Sequence, residues 1–157
     1  MKNITLLISL LFSFVLISCN AGLDQTKIKG ENPDKVGKYF YNLFKNNNEE
    51  EFKKWIDDTD ILEKSWGNIQ NSRYDPFSRK TSEYVKNFSW KTSEYDKSEI
   101  TQKYDYDEYF IEIYFSNKED NHSYKIRFLL SKQENKKDDK YYIETCCGYS
   151  PIIRPNK

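Results

Sequence analysis

The sequence predicts an α+β domain: three N-terminal helices packed on a curved, roughly four-stranded antiparallel sheet. Three observations carry that reading. Apolar residues recur every three to four positions up to Ile69 and on alternate positions from Tyr84 onward. A polar, turn-rich stretch, 70–82, separates the two regimes, and Pro76 stops any helix there. Helices and strands are segregated rather than alternating, which gathers the helices on one face of an antiparallel sheet.

The first helix begins at Asn32-Pro33-Asp34, an N-cap, a proline at the first helical position and an acid near the positive end of the dipole. Val36, Phe40, Leu43 and Phe44 form its apolar stripe. Gly37 interrupts this helix at a cost of about 1 kcal/mol relative to alanine, and Asn46-Asn47-Asn48 ends it. Glu49, Glu50 and Glu51 open a second helix whose buried face is Phe52, Trp55 and Ile56. Asp60 with Glu63 caps a third, with Leu62, Trp66 and Ile69 as its stripe.

Phe88 and Trp90 mark a first strand that reaches Tyr95. Stretch 104–115 is the clearest strand, with Tyr109, Ile111, Ile113 and Phe115 on one face and Glu108 and Glu112 on the other. After a polar turn over 116–121, Tyr124, Ile126, Phe128 and Leu130 form the apolar face of the next strand, with Lys125 and Arg127 opposite. Joining the two as a hairpin with both apolar faces together predicts a register that sets Phe115 beside Tyr124 and Glu112 beside Arg127, so that opposite charges meet on the open face. A charged loop, 132–139, leads to a last alternating strand of Tyr141, Ile143, Thr145 and Cys147, ended by Gly148 and Pro151. No internal repeat is present. The single domain therefore spans 32–149, with 150–157 as a C-terminal tail.

The amino end is of a different kind. Met1-Lys2-Asn3 is a short, positively charged start, and 4–17 is apolar and uncharged. That run has the length of a signal-peptide core and falls short of the ~20 apolar residues of a spanning helix. Leu16-Ile17-Ser18-Cys19 closes it and resembles the lipobox of bacterial lipoproteins. The resemblance implies that 1–18 is removed and that Cys19 becomes a lipidated first residue, with two or three acyl chains holding the protein durably to a membrane. It also implies the outer membrane rather than the inner, because Asn20 is not the aspartate that often retains lipoproteins in the inner one. Stretch 20–31 is polar with two glycines and reads as a flexible tether, able to span about 40 Å at full extension.

Composition narrows the function classes. The 157 residues carry 25 Lys and Arg against 25 Asp and Glu, which gives no basic excess to hold nucleic acid and no acidic tail. Aromatic residues make up 17% of the chain, so a core, a pocket or a contact surface must take them. With Cys19 spent on lipid, Cys146 and Cys147 remain as neighbours. Their Cα atoms lie about 3.8 Å apart, below the usual 4.4–6.8 Å of disulfides. Free thiols on opposite strand faces, a strained vicinal ring and an intermolecular bond are the three readings. His122 is the only histidine and falls at the hairpin turn, within 117–123, so neither a Ser–His nor a Cys–His pair is expected. Asp105, Asp107 and Glu108 supply carboxylates but sit on a strand rather than in a calcium-binding turn. No phosphate loop, Cys-x-x-Cys or metalloprotease helix occurs. The expectation is no metal and no cofactor beyond the covalent lipid.

The order helix, polar break, acidic second helix, then long meandering strands ending in Lys140-Tyr141-Tyr142-Ile143 resembles the cone-shaped, cystatin-like domains of the nuclear-transport-factor-two superfamily. That resemblance implies a cone between helices and sheet, lined here by Trp55, Trp66, Phe88 and Trp90. Its members include isomerases, dehydratases and many non-catalytic binding domains, but no acid/base residue of the catalytic members maps onto this chain. The expectation is a non-enzymatic, membrane-anchored envelope module that binds a protein or an envelope component. Its surface would be Tyr106, Phe110 and Tyr114 interleaved with Glu108 and Glu112, exposed on the sheet's other face. A toxin-neutralising immunity lipoprotein is one subtype. A small-molecule carrier using the cone, an isomerase-like or dehydratase-like enzyme, and a homodimer formed through the sheet face are the competing readings.

Overall fold

The computed structural model describes residues 22–56, 66, 89–103, 106–119, 122–133, 136–143 and 152–155. It is an α+β arrangement with antiparallel strands. Helix α1 (Pro33–Lys45) starts as its sequence predicts: Asn32 Oδ1 accepts the Asp34 N–H at 2.9 Å, and Pro33 occupies the first turn. At its end the Asn46 N–H bonds the Asn42 carbonyl, and Asn47 turns the chain at φ 53°. Asn48 then caps α2 (Glu49–Lys53), its side chain accepting the Glu51 N–H at 3.2 Å.

α2 is shorter than its apolar spacing predicts. Trp55 and Ile56 are buried as expected, but they lie beyond the helix. The Trp55 carbonyl accepts the Ile143 N–H at 2.7 Å, so a strand takes the group that a longer helix would have used. Of the third predicted helix only Trp66 is described; it is helical and packs on Phe52, ring centroids 5.0 Å apart. Asp60, Leu62, Glu63 and Ile69 lie outside the described residues, as do Cys19, Phe88, Asp105, Thr145, Cys146 and Cys147.

The sheet runs β1 (Ser93–Gln102), β2 (Glu108–Asn117), β3 (His122–Lys132) and β4 (Tyr141–Ile143) in that order, with β5 (Ile152–Pro155) also paired to β3. The hairpin register is the predicted one: Phe115 opposes Tyr124 and Glu112 opposes Arg127. His122, expected in the turn, is the first residue of β3 and opposes Asn117. Three other expectations are corrected. The first strand does not run through Trp90. Trp90–Thr92 form a 3-10 turn and the strand begins at Ser93. Its buried positions are Ser93 and Ser98, so apolar alternation does not mark it. Residues 152–155, expected as tail, form a strand against 124–127. Residues 22–31, expected as a flexible tether, are held to the domain: Leu23 and Ile28 are buried in the core, and the Gln25 carbonyl accepts the Tyr141 N–H at 2.9 Å.

The core lies between the helices and the inner face of the sheet. Phe40 of α1 meets Phe128 of β3 edge to face at 4.7 Å and Trp55 at 4.9 Å, and Trp90 meets Phe115 at 5.0 Å. α1 rests low on β1. A Cβ built on Gly37 would come within 2.1 Å of the Ser98 hydroxyl oxygen and 2.2 Å of the Ser98 Cβ. Glycine is required here by close approach rather than by backbone angle. Around that contact the Tyr95 hydroxyl donates to Asp34 Oδ1 at 2.7 Å, the Ser98 hydroxyl donates to the Pro33 carbonyl, and Tyr41 and Ser93 hydroxyls bond at 2.9 Å.

Gly37→Ala is therefore expected to destabilise the domain by about 1–3 kcal/mol, although alanine is the better helix former. Pairing it with Ser98→Gly should recover part of the loss, and urea midpoints of the four proteins measure both effects. Ile28→Ala should cost about 2–5 kcal/mol by the same assay, as for any buried isoleucine, where a free tether would show no change.

Candidate functional site

Alternation along β2 sends Tyr109, Ile111, Ile113 and Phe115 into the core and turns Phe110, Glu112 and Tyr114 to the opposite face of the sheet. The strand register assembles cross-strand rows there. Lys97, Tyr114 and Lys125 form one, Glu99, Glu112 and Arg127 the next, and Thr101, Phe110 and Leu129 a third.

Glu112 sits at the centre of this face. Its carboxylate accepts the Tyr114 hydroxyl at 3.0 Å and Lys125 Nζ at 3.1 Å, and Arg127 Nε lies 3.5 Å away. The predicted partner, Arg127, is thus present, but the diagonal Lys125 makes the shorter contact. Cations also cover the rings. Lys97 Nζ stands 4.7 Å above the Tyr114 centroid, Lys125 Nζ 5.7 Å from it, and the Arg127 guanidinium 4.0 Å above Phe110. The charged ends themselves stand over the rings, and Lys125 Nζ also bonds Glu112.

Glu108, Phe110, Glu112 and Tyr114 are in consequence half-buried rather than exposed as expected, and Tyr106 alone of the five is open, at 65%. Tyr106 also stands apart from the others. It lies in the bend before β2, its carbonyl accepting Gln102 Nε2 at 3.1 Å, while Glu108 pairs with Lys103 at 2.7 Å. Towards β4 the same face closes, with Leu129, Ser131 and Tyr142 buried.

Tyr106 borders a cleft of about 320 Å³ that the sequence reading missed, formed where the start of β2 meets the end of β3 and residues 136–140. Lys132 and Asp139 form an ion pair there, Asp138 accepts the Tyr142 hydroxyl at 2.5 Å, and Lys136 lies 4.2 Å above the Tyr142 ring. The available signal was the hairpin register, which carries Glu108 opposite Ser131 and so brings two distant charged stretches together. The candidate cone residues Trp55, Trp66 and Trp90 are core: each is buried and in ring contact with a phenylalanine. Among the described residues no three His, Cys, Asp or Glu side chains gather as a metal-binding group, and no helix is long and apolar enough to cross a membrane.

Two opposing effects act on Glu112. Partial burial pushes its pKa up, while the Lys125 ammonium, the Tyr114 hydroxyl and the Arg127 guanidinium outweigh that and hold it below the ordinary 4.5. Tyr114 moves the other way, pushed up to about 12 by burial and by its bond to Glu112. Folding therefore favours ionised Glu112, whose contribution to stability is present above pH 4.5 and is lost as the pH falls through its lowered folded value. Folding likewise favours neutral Tyr114, whose contribution is present below pH 10.0 and is lost as the pH rises through about 12. Glu112→Gln should flatten the acid limb of stability against pH, and Tyr114→Phe the alkaline limb. Urea midpoints across a pH series read both.

Compared with protein-family models, curated proteins and solved structures, the chain matches none.

Proposed function

We infer that this protein is a lipid-anchored envelope module that binds a protein or envelope component through the open face of its sheet and catalyses no reaction. The observation that carries the reading is the assembled face around Glu112, where two aromatic rings are sandwiched between their own strand and the cations of neighbouring strands. Tyrosine and arginine are among the residues from which contact hot spots are built. Their side chains are already held by neighbours, so binding would order little that is not ordered before contact. Tyr106, at the margin of the face, would extend the contact towards the charged cleft.

The helices lie on one side of the sheet, the layer order of the cystatin-like cone, and we read the domain as that cone with its interior filled. Ring centroids 4.7–5.0 Å apart between Phe40 and Phe128, Phe40 and Trp55, and Phe52 and Trp66 leave no gap between those rings, which favours a surface-binding module over a carrier. An enzyme reading needs a carboxylate inside the core, whereas the buried polar side chains among the described residues are Ser93, Ser98, Asn117 and Ser131. The anchor rests on the lipobox ending at Cys19, and the outer membrane is the location it favours.

The test is capture from envelope extract by the immobilised chain 20–157, followed by native mass spectrometry. Tyr106→Ala and Tyr114→Ala are each expected to weaken capture of the same partner by about 1–2 kcal/mol, roughly 5–30-fold, with circular dichroism unchanged. Undiminished capture by both variants would remove the sheet face as the site, and a retained small-molecule mass would restore the carrier. In the native host, Cys19→Ala should move the protein from the detergent phase to the aqueous phase in cloud-point partitioning.

A further inference from the structure

The segment between the lipid and the helices is bound to the domain by several contacts. Leu23 and Ile28 are buried in the core. Gln25 Nε2 donates to the Lys54 carbonyl at 2.7 Å and to the Tyr141 carbonyl at 3.3 Å, in addition to the strand-like bond its own carbonyl accepts from Tyr141. Asp24 Oδ1 accepts the Thr26 N–H at 3.0 Å and the Thr26 hydroxyl at 2.8 Å, closing a turn between the two buried residues. Extending this segment would expose both apolar side chains and free the edge of β4. The slack between Cys19 and the first held residue, Leu23, is thus about 15 Å at full stretch, in place of about 40 Å for a free tether.

The point of attachment is on the helix layer. A Cβ on Gly22 would stand 3.9 Å from Glu51 Oε1 of α2, and the same carboxylate oxygen accepts the Tyr39 hydroxyl of α1. Tyr114 points to the opposite side of the sheet from its core-facing neighbour Phe115. A leash of about 15 Å cannot carry that far face around two layers spaced about 10 Å apart.

Resting on the reading of Cys19 as the lipidated residue, we propose that the domain sits directly on the bilayer headgroups with its helix layer inward. The surface of Asp24, Lys27, Lys53 and Lys54 meets the membrane, and the Glu112 face is turned to the aqueous phase. The cations of this surface are already paired: Lys27 with Asp24 at 3.1 Å, Lys53 with Glu50 at 2.9 Å and Lys54 with Glu51 at 2.5 Å. The leash, rather than attraction to anionic lipid, holds the surface down, so the orientation does not depend on salt.

The experiment uses the full lipidated protein in phosphatidylethanolamine and phosphatidylglycerol vesicles that contain a nitroxide-headgroup lipid. Cys146 and Cys147 are replaced by serine, and a fluorophore is attached at Lys54→Cys or at Thr101→Cys. Quenching is expected to be several-fold stronger at position 54, alike at low and high salt. A flexible Gly-Ser insert after residue 21, long enough to restore about 40 Å of slack, should level the two positions. Equal quenching without the insert, or stronger quenching at 101, overturns the orientation while leaving the anchor standing. Mass spectrometry of the same preparation reads residue 19, and a bare cysteine there overturns the anchor and the orientation with it. Hydrogen exchange on the unsubstituted protein gives the comparison without labels. Residues 24–29 and 49–54 should slow on vesicles while β1 does not, and the reverse pattern overturns the proposal.

Discussion

The close approach of α1 to β1 at Gly37 and Ser98 is the contact on which the rest of the structure depends. With no side chain at 37, the helix lies low enough for Phe40 to reach Phe128 and for Tyr41 to reach Ser93. Asp34 marks the same contact. The Tyr95 hydroxyl, more than the Ser98 N–H, holds its carboxyl below the ordinary range despite the cost of desolvation. Dispersion falls steeply with separation, so lifting the helix by the thickness of a methyl group would weaken all the ring contacts beneath it together. The helix tolerates a poor helix former at its centre because tertiary contact, and not intrinsic propensity, supplies most helical stability.

The register of β2 on β3 performs two tasks at once. It turns Ile111, Ile113 and Phe115 against Phe128, Ile126 and Tyr124 in the core, and on the other side it brings Glu112 among Lys125, Arg127 and the Tyr114 hydroxyl. A slip of one residue would bury the carboxylate and expose the rings, so the charged cluster and the core enforce the same pairing. At the margin, β1 carries Glu94, Asp96, Lys97 and Glu99 and a bulge between Tyr95 and Lys97, devices that discourage pairing with a foreign strand.

β4 is three residues long, yet it binds three other parts of the chain. It pairs with β3, its Tyr141 N–H bonds Gln25, and its Ile143 N–H bonds Trp55. These bonds tie the chain after α2 to the sheet and hold the N-terminal segment down. The N-terminal segment and the chain after α2 are thereby tied to one edge of the sheet.

Much of this was determined by the sequence alone: the limits and caps of α1, the polar break after it, the alternation of β2 and β3, and the pairing of Phe115 with Tyr124. Each follows from spacing and local hydrogen bonding within a short window, and that window states which way a side chain points. Only the tertiary structure decided what it points at. It placed serines as the buried residues of β1 because the helix backbone lies on Ser98 and Ser93 bonds the Tyr41 hydroxyl. It ended α2 before Trp55, whose N–H bonds the Phe52 carbonyl and whose own carbonyl goes to β4, and it bound 22–31 because two isolated apolar residues found a core. It returned 152–155 to the sheet along the free length of β3. It half-covered Phe110 and Tyr114 because lysine and arginine from neighbouring strands fold over their rings. Each of these depends on a neighbour distant in sequence, and periodicity along one strand or helix carries no record of which distant segment will arrive beside it.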